Sequence, residues 1–201
     1  RYFMATKILP FVVGNDGKGL DFVIRDADYE KLDDYIKFSQ PFLAIAMGSR
    51  HKTKQIPLDK LVDICKKVNF PVVLLGSNGD MDAADYICER TEKVVSLCGK
   101  LSLRESAACI ERAKVLLTGD TGLMHIAAAL NKPIVSVWGN TVPAFGMYPY
   151  MPLFPNRYHI VQNDNLSCRP CSKLGFEQCP KKHFKCMNDI DVNRIIPLLN
   201  E

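Results

Sequence analysis

The chain has 201 residues, of which 47% are hydrophobic and 24% charged, with a net charge of +4. Hydrophobicity at this level excludes a disordered chain, and the length exceeds that of a small disulfide scaffold, so one compact unit with a sizeable core is expected. The charge is too small for a nucleic-acid footprint by itself, and the apolar runs are far shorter than the ~20 residues needed to cross a bilayer.

Residues 1–40 read as a strand-like stretch 7–13, a glycine-rich turn 14–19, an apolar run 22–24 and an acidic, helix-like stretch 26–38, ended by Pro41. The leading Arg1 suggests a piece of a longer chain, with no charged-then-apolar leader pattern at its start. From residue 42 the pattern becomes regular. Apolar runs at 42–47, 72–75, 94–97, 115–118 and 134–137 alternate with amphipathic segments, such as the one carrying Leu61, Val62 and Cys65. Five strands alternating with four helices predict an α/β fold: a Rossmann-like parallel sheet with helices on both faces. Residues 139–157 form a Pro- and aromatic-rich loop, 158–161 are a candidate sixth strand, and 189–199 read as a closing helix capped by Asp189.

Ligands of such sheets bind beyond the carboxyl ends of the strands, so the loops there are the place to look. After the first strand, Gly48-Ser49 leads into Arg50, Lys52 and Lys54. These are either an anion-wrapping loop or a solvated basic one. After the second, Asp80 and Asp82 suit a ribose contact or the first turn of a helix. After the third, Ser102 with Glu105 reads as a capping box. The fourth leads into Asp120-Thr-Gly-Leu-Met-His-Ile-Ala-Ala-Ala, where Thr121 and Gly122 open a thin helix whose free amides favour a phosphate. His125 lies one turn in, on the same face, as a buried core histidine or a ligand contact. No G-x-G-x-x-G follows any strand, which weakens a dinucleotide oxidoreductase.

Cys65, Cys88, Cys98 and Cys109 are scattered singly in apolar segments, which predicts reduced thiols and a cytoplasmic setting. Cys168, Cys171, Cys179 and Cys186 are spaced C-x2-C-x7-C-x6-C. A structural zinc, packed thiols and air-formed disulfides are all compatible with that segment, 168–186.

Together Asp120-Thr-Gly-Leu-Met-His-Ile-Ala-Ala-Ala-Leu, Pro133 and Gly139-Asn-Thr-Val-Pro143 resemble the signature of the family 9 glycosyltransferases, the lipopolysaccharide heptosyltransferase group. Gly48-Ser49 with Lys54 and Ile56-Pro57, Gly76 with Asp80, and Lys100-Leu-Ser-Leu103 match further family motifs in order, with Ile56 standing where the family has an aromatic. The resemblance implies a GT-B architecture, of which residues 41–201 are the C-terminal, nucleotide-sugar-binding domain and residues 1–40 the end of the acceptor domain or the interdomain segment. It implies an inverting, metal-independent transfer of heptose or a similar sugar from an ADP-sugar to a lipopolysaccharide core acceptor, with no cofactor required. The acceptor and the general base, an aspartate in relatives, belong to the absent N-terminal domain, so this piece is expected to bind donor without turning over. Peripheral association with the inner membrane is part of the same expectation, and nucleic acid is not an expected partner.

Carried over, Lys54 would neutralise charge on the ADP leaving group and Asp120 would contact sugar hydroxyls, the two catalytic assignments. Gly48 and Ser49 would shape the phosphate loop, and Thr121 and Gly122 would donate to the phosphates. Asp80 would approach the ribose, the Leu101 backbone the purine, and His125 would line the site. The alternative from another class is a non-catalytic nucleotide-binding or regulatory module.

Overall fold

The structure, a computed structural model, describes residues 14–201; the strand-like stretch 7–13 lies outside the described residues. The acidic stretch forms α1 (Ala27–Tyr35). The repeat then follows as β1 (Leu43–Ala46), α2 (Leu58–Lys67), β2 (Val72–Leu75), α3 (Met81–Cys88), β3 (Val94–Ser96), α4 (Leu103–Arg112), β4 (Val115–Thr118), α5 (Gly122–Ala129) and β5 (Ile134–Trp138). The candidate sixth strand is present as β6 (Tyr158–Gln162), paired parallel to β5. All six strands are parallel in the order β3-β2-β1-β4-β5-β6. This is the doubly wound arrangement expected from the sequence, and the order reverses between β1 and β4.

Alternation along β1 assigns its side chains to the two faces. Leu43, Ile45 and Met47 join Leu61, Ile64 and Ile87 of α2 and α3 on one side. Ala44 and Ala46 face the other side, where Ala108 of α4 and Ala127 and Ala128 of α5 are buried with Leu32 of α1. Small residues on both partners let α5 lie close to the sheet. That closeness brings its N-terminus to the edge where β4 ends. Because all four residues of β1, β2 and β4 are buried, these strands read as continuous apolar runs.

The chain departs from the sequence reading in three places. The β5-to-β6 crossover, residues 139–157, is made without an α-helix, through two short 3-10 turns at Pro143–Phe145 and Pro155–Arg157. Of the two aspartates read as suited to a helix's first turn, Asp80 ends a 3-10 turn, Asn78–Asp80, and only Asp82 lies in the first turn of α3, which begins at Met81. The closing helix expected over 189–199 is instead two pieces, a 3-10 turn Val192–Arg194 and α7 (Ile196–Asn200), and a short α6 (Lys185–Asn188) precedes them. Pro197 lies in the first turn of α7 and has no N–H to continue a ladder from upstream. Asp189 ends α6, and it is Asp191 whose side chain accepts from the Asn193 N–H.

The capping box at α4 is present as predicted. The Ser102 hydroxyl accepts from the Glu105 N–H at 3.3 Å, and the Glu105 carboxylate accepts from the Ser102 N–H. That second bond holds the Glu105 carboxyl below its usual range. Ser102→Ala is expected to lower stability by about 1 kcal/mol, seen as a fall in the urea midpoint at constant slope. An unchanged midpoint would show that the cap contributes nothing to folding.

Candidate functional site

The carboxyl ends of β1, β2 and β4 open into one cleft of about 840 Å3. All nine residues singled out from the sequence line it: Gly48, Ser49, Lys54, Asp80, Leu101, Asp120, Thr121, Gly122 and His125. Leu75, Leu101 and Leu103 line the cleft where β2 and β3 finish, together with Ser77, Asp80 and Ser106, while Lys54, Asp120 and His125 with the start of α5 line its polar end, where β1 and β4 finish.

The polar end is built around a 3-10 turn, Lys52–Lys54. Thr53 at its centre is buried, so the three cationic residues of this loop separate. Lys52 is exposed to solvent, Arg50 is on the cleft rim, and Lys54 turns inward. Lys54 Nζ lies 2.7 Å from Asp120 Oδ2, with the two side chains 14% and 7% exposed. The same carboxylate oxygen accepts from the Thr141 hydroxyl at 3.0 Å. A pair so buried is held in place by its extra hydrogen bond, since desolvation offsets much of the Coulomb attraction.

Two glycines make room for this turn. A Cβ at Gly119 would collide with the Lys54 carbonyl oxygen, and one at Gly139 would come within 2.8 Å of the Thr53 carbonyl oxygen. From outside, the cysteine-containing segment closes over the turn. The Phe176 N–H donates to Thr53 Oγ1 at 2.8 Å, and the Thr53 N–H donates to the Phe176 carbonyl at 3.1 Å.

At the start of α5, the Thr121 hydroxyl accepts from the Met124 N–H. The first N–H groups of a helix have no partner within it, so those of Gly122 and Leu123 remain at the cleft wall. Gly122 has open space where a Cβ would be, which lets a ligand approach the backbone closely. His125 has a lowered pKa, chiefly through burial, with Lys54 adding to the effect and Asp120 opposing it. Its imidazole is therefore neutral near pH 7.

Asp80 serves the loop as well as the cleft. Its Oδ2 accepts from the Ser77 N–H at 2.8 Å and hydroxyl at 2.7 Å, and its carboxyl fills the space left by Gly48 and Gly76. Asp82 lies in the first turn of α3, outside the cleft.

The scattered cysteines behave as small hydrophobes: burial pushes the thiols of Cys65 and Cys109 up to about 12 and that of Cys98 to about 11. All eight are free thiols, with no disulfide at 168–186. Within that segment the Cys171 thiol donates to the Cys168 carbonyl at 2.9 Å, and Cys168 Sγ lies 3.9 Å from His183 Nε2. Among the described residues no three His, Cys, Asp or Glu side chains are arranged to hold a metal ion. Among the same residues no helix is long and apolar enough to cross a membrane.

The sequence profile of glycosyltransferase family 9 (heptosyltransferase) matches residues 4–183. The chain belongs to this family. Lipooligosaccharide heptosyltransferase 2 of Haemophilus ducreyi is 34% identical over 149 residues, 71% of this chain and 40% of the relative. Among solved structures, a family 9 glycosyl transferase from Veillonella parvula superposes with a TM-score of 0.72 at 20% identity, covering 93% of this chain and 55% of that one. The Escherichia coli ADP-heptose lps heptosyltransferase II gives 0.67 at 22% identity, covering 90% and 52%. Both confirm the fold. The chain spans less than half the length of the curated relatives it matches.

Sequence reasoning assigned no role to Gly119, Thr53, Thr141 or Arg169. Thr141 stood inside a quoted motif, but nothing in a linear sequence indicated that its hydroxyl returns to Asp120. Gly119→Ala is expected to cost about 1–3 kcal/mol, because the methyl meets main chain that cannot rotate away. Urea denaturation checks this, and a wild-type midpoint would mean that the Lys52–Lys54 turn is not seated against β4.

Proposed function

We propose that this chain is the donor-binding part of an inverting heptosyltransferase that moves heptose, or a similar sugar, from an ADP-sugar to a lipopolysaccharide core acceptor. The observation that carries the reading is that a buried lysine and a helix N-terminus share one cleft with Leu75, Leu101 and Leu103. A nucleoside diphosphate offers an anionic part and a flat apolar part to such a lining. The likeness to a solved enzyme whose name includes ADP-heptose supports the choice of nucleotide.

In this reading the diphosphate lies between Lys54 and the amides of Gly122 and Leu123. An ammonium has three donors; one of Lys54's is directed at Asp120, which leaves two for phosphate oxygens. Positive charge fixed where the leaving ADP gathers negative charge lowers the barrier to breaking the sugar–phosphate bond. Lysine and helix supply that charge from the protein itself, so transfer proceeds without a divalent ion. The free face of Asp120 receives sugar hydroxyls, Asp80 meets the ribose, and the purine lies by the Leu101 backbone. Neutral His125 adds no competing charge beside the phosphates.

Residues 1–40 are, in the same reading, the end of the acceptor domain or its connection, and residues 41–201 the donor domain. The family match begins at residue 4, and Leu32 of α1 is fully buried against the sheet's second face, as a returning connection would be. The general base that activates the acceptor hydroxyl belongs to the acceptor domain, and inversion follows from its single attack opposite the phosphate. The setting is the cytoplasm, at the surface of the inner membrane that carries the acceptor.

Calorimetric titration of ADP into the 201-residue chain tests the reading. Lys54→Ala is expected to weaken ADP roughly ten- to hundredfold, the worth of one or two hydrogen bonds to a charged group. An unchanged affinity would remove Lys54 from the site.

A further inference from the structure

We infer that Arg169, which does not line the cleft, is a positioning residue for the Lys54–Asp120 pair, acting through the main chain of residues 138–141 and the Thr141 hydroxyl. The functional half of this inference rests on the donor-site reading above. The structural half does not.

Arg169 leads the cysteine segment and is half-buried, but it has no carboxylate partner in any ion pair of the described residues. Its guanidinium instead collects five oxygens. Nε donates to the Gly139 carbonyl and Nη1 to the Asn163 carbonyl. Nη2 is shared among the carbonyls of Thr141 at 3.0 Å and Trp138 at 3.3 Å and the Gln162 side chain at 3.1 Å. Three of these carbonyls come from four consecutive residues at the end of β5. Three carbonyl dipoles turned toward one point repel one another and stay unpaired unless a cation fills it. The conformation of 138–141 therefore depends on the guanidinium, whose planar fork of donors no lysine reproduces.

That loop reaches the site twice. Gly139 presses on the Thr53 carbonyl within the Lys52–Lys54 turn, and Thr141, only 1% exposed, holds the oxygen of Asp120 that faces Lys54. Arg169, Thr141, Asp120 and Lys54 thus form one chain of hydrogen bonds and main chain, running from the cysteine segment to the cation at the polar end of the cleft. A simple staple between the ends of β5 and β6 would need only the Trp138, Gln162 and Asn163 contacts; the contacts to Gly139 and Thr141 set the loop itself.

Two readouts on the 201-residue chain test the assignment. The first needs no nucleotide: the side-chain ammonium signal of Lys54 in nitrogen-15 spectra, assigned by its loss in Lys54→Arg. The buried, paired ammonium is expected to give a slowly exchanging signal in the wild type and in Thr141→Ser. It should disappear in Thr141→Val and in folded Arg169→Lys and Arg169→Gln. The second is ADP affinity, expected to fall about tenfold in Thr141→Val and in each Arg169 variant, with the double variants no weaker than the weaker single. A persistent Lys54 signal in a folded Arg169 variant overturns the assignment, as do losses that multiply in the double variants. Loss of the native circular-dichroism spectrum in both Arg169 variants overturns it equally, since Arg169 would then be a folding residue. If the Lys54 signal behaves as stated while neither Lys54→Ala nor the other variants change ADP affinity, the positioning stands and the donor-site reading falls.

Discussion

The cleft depends on one close approach of main chain to main chain. The carbonyl of Lys54 lies in the space that a side chain at position 119 would occupy, and the carbonyl of Thr53 similarly crowds the place of a side chain at position 139. Only because β4 and β5 are each followed by a glycine can the turn after β1 fold back over their ends. Once it is there, the Lys54 side chain has one place to go, toward Asp120, which leads into the N-terminus of α5. The ion pair is thus a consequence of how the backbone packs, and it is then fixed by the Thr141 hydroxyl and the loop that Arg169 gathers.

The parallel sheet explains why these groups meet at all. Strand order reverses between β1 and β4, so the loops leaving these two neighbours pass to opposite faces and leave a crevice between them. The alanines of β1, α4 and α5 on the second face draw α5 close, which sets its free amides at the rim of that crevice. The turn carrying Lys54 comes from one side and the helix start from the other. Positive charge from two independent sources converges on a space lined farther along by leucines.

Much of this was legible in the sequence, for identifiable reasons. Strands buried on both faces must be continuously apolar, so β1, β2, β4 and β5 stand out in a chain otherwise punctuated by charge. Strand-end loops and the family resemblance together singled out nine residues, Leu101 by the resemblance alone, and all nine line one cleft. What the sequence hid depends on distant contacts. The breaks around Asp189 to Pro197 look like one amphipathic helix until the proline's missing donor is counted. The residues that open the crossover at 139–157 stood in the family signature, but nothing there showed that Gly139 makes room for the Lys52–Lys54 turn or that the Thr141 hydroxyl returns to Asp120. Asp80 held two candidate roles, and its capping of Ser77 shows that a carboxylate can line a cleft while serving its own turn. For the cysteine segment, spacing left zinc, packed thiols and disulfides open, and it gave no sign of the contacts the segment makes with Thr53 and the β5 loop.

The most direct test of the cleft as a diphosphate site is a crystal structure of the chain grown with ADP. The β-phosphate oxygens are expected within hydrogen-bond distance of Lys54 Nζ and the Gly122 amide, with the adenine against Leu101. A nucleotide bound elsewhere, or one whose phosphates leave the Lys54–Asp120 pair untouched, would contradict it.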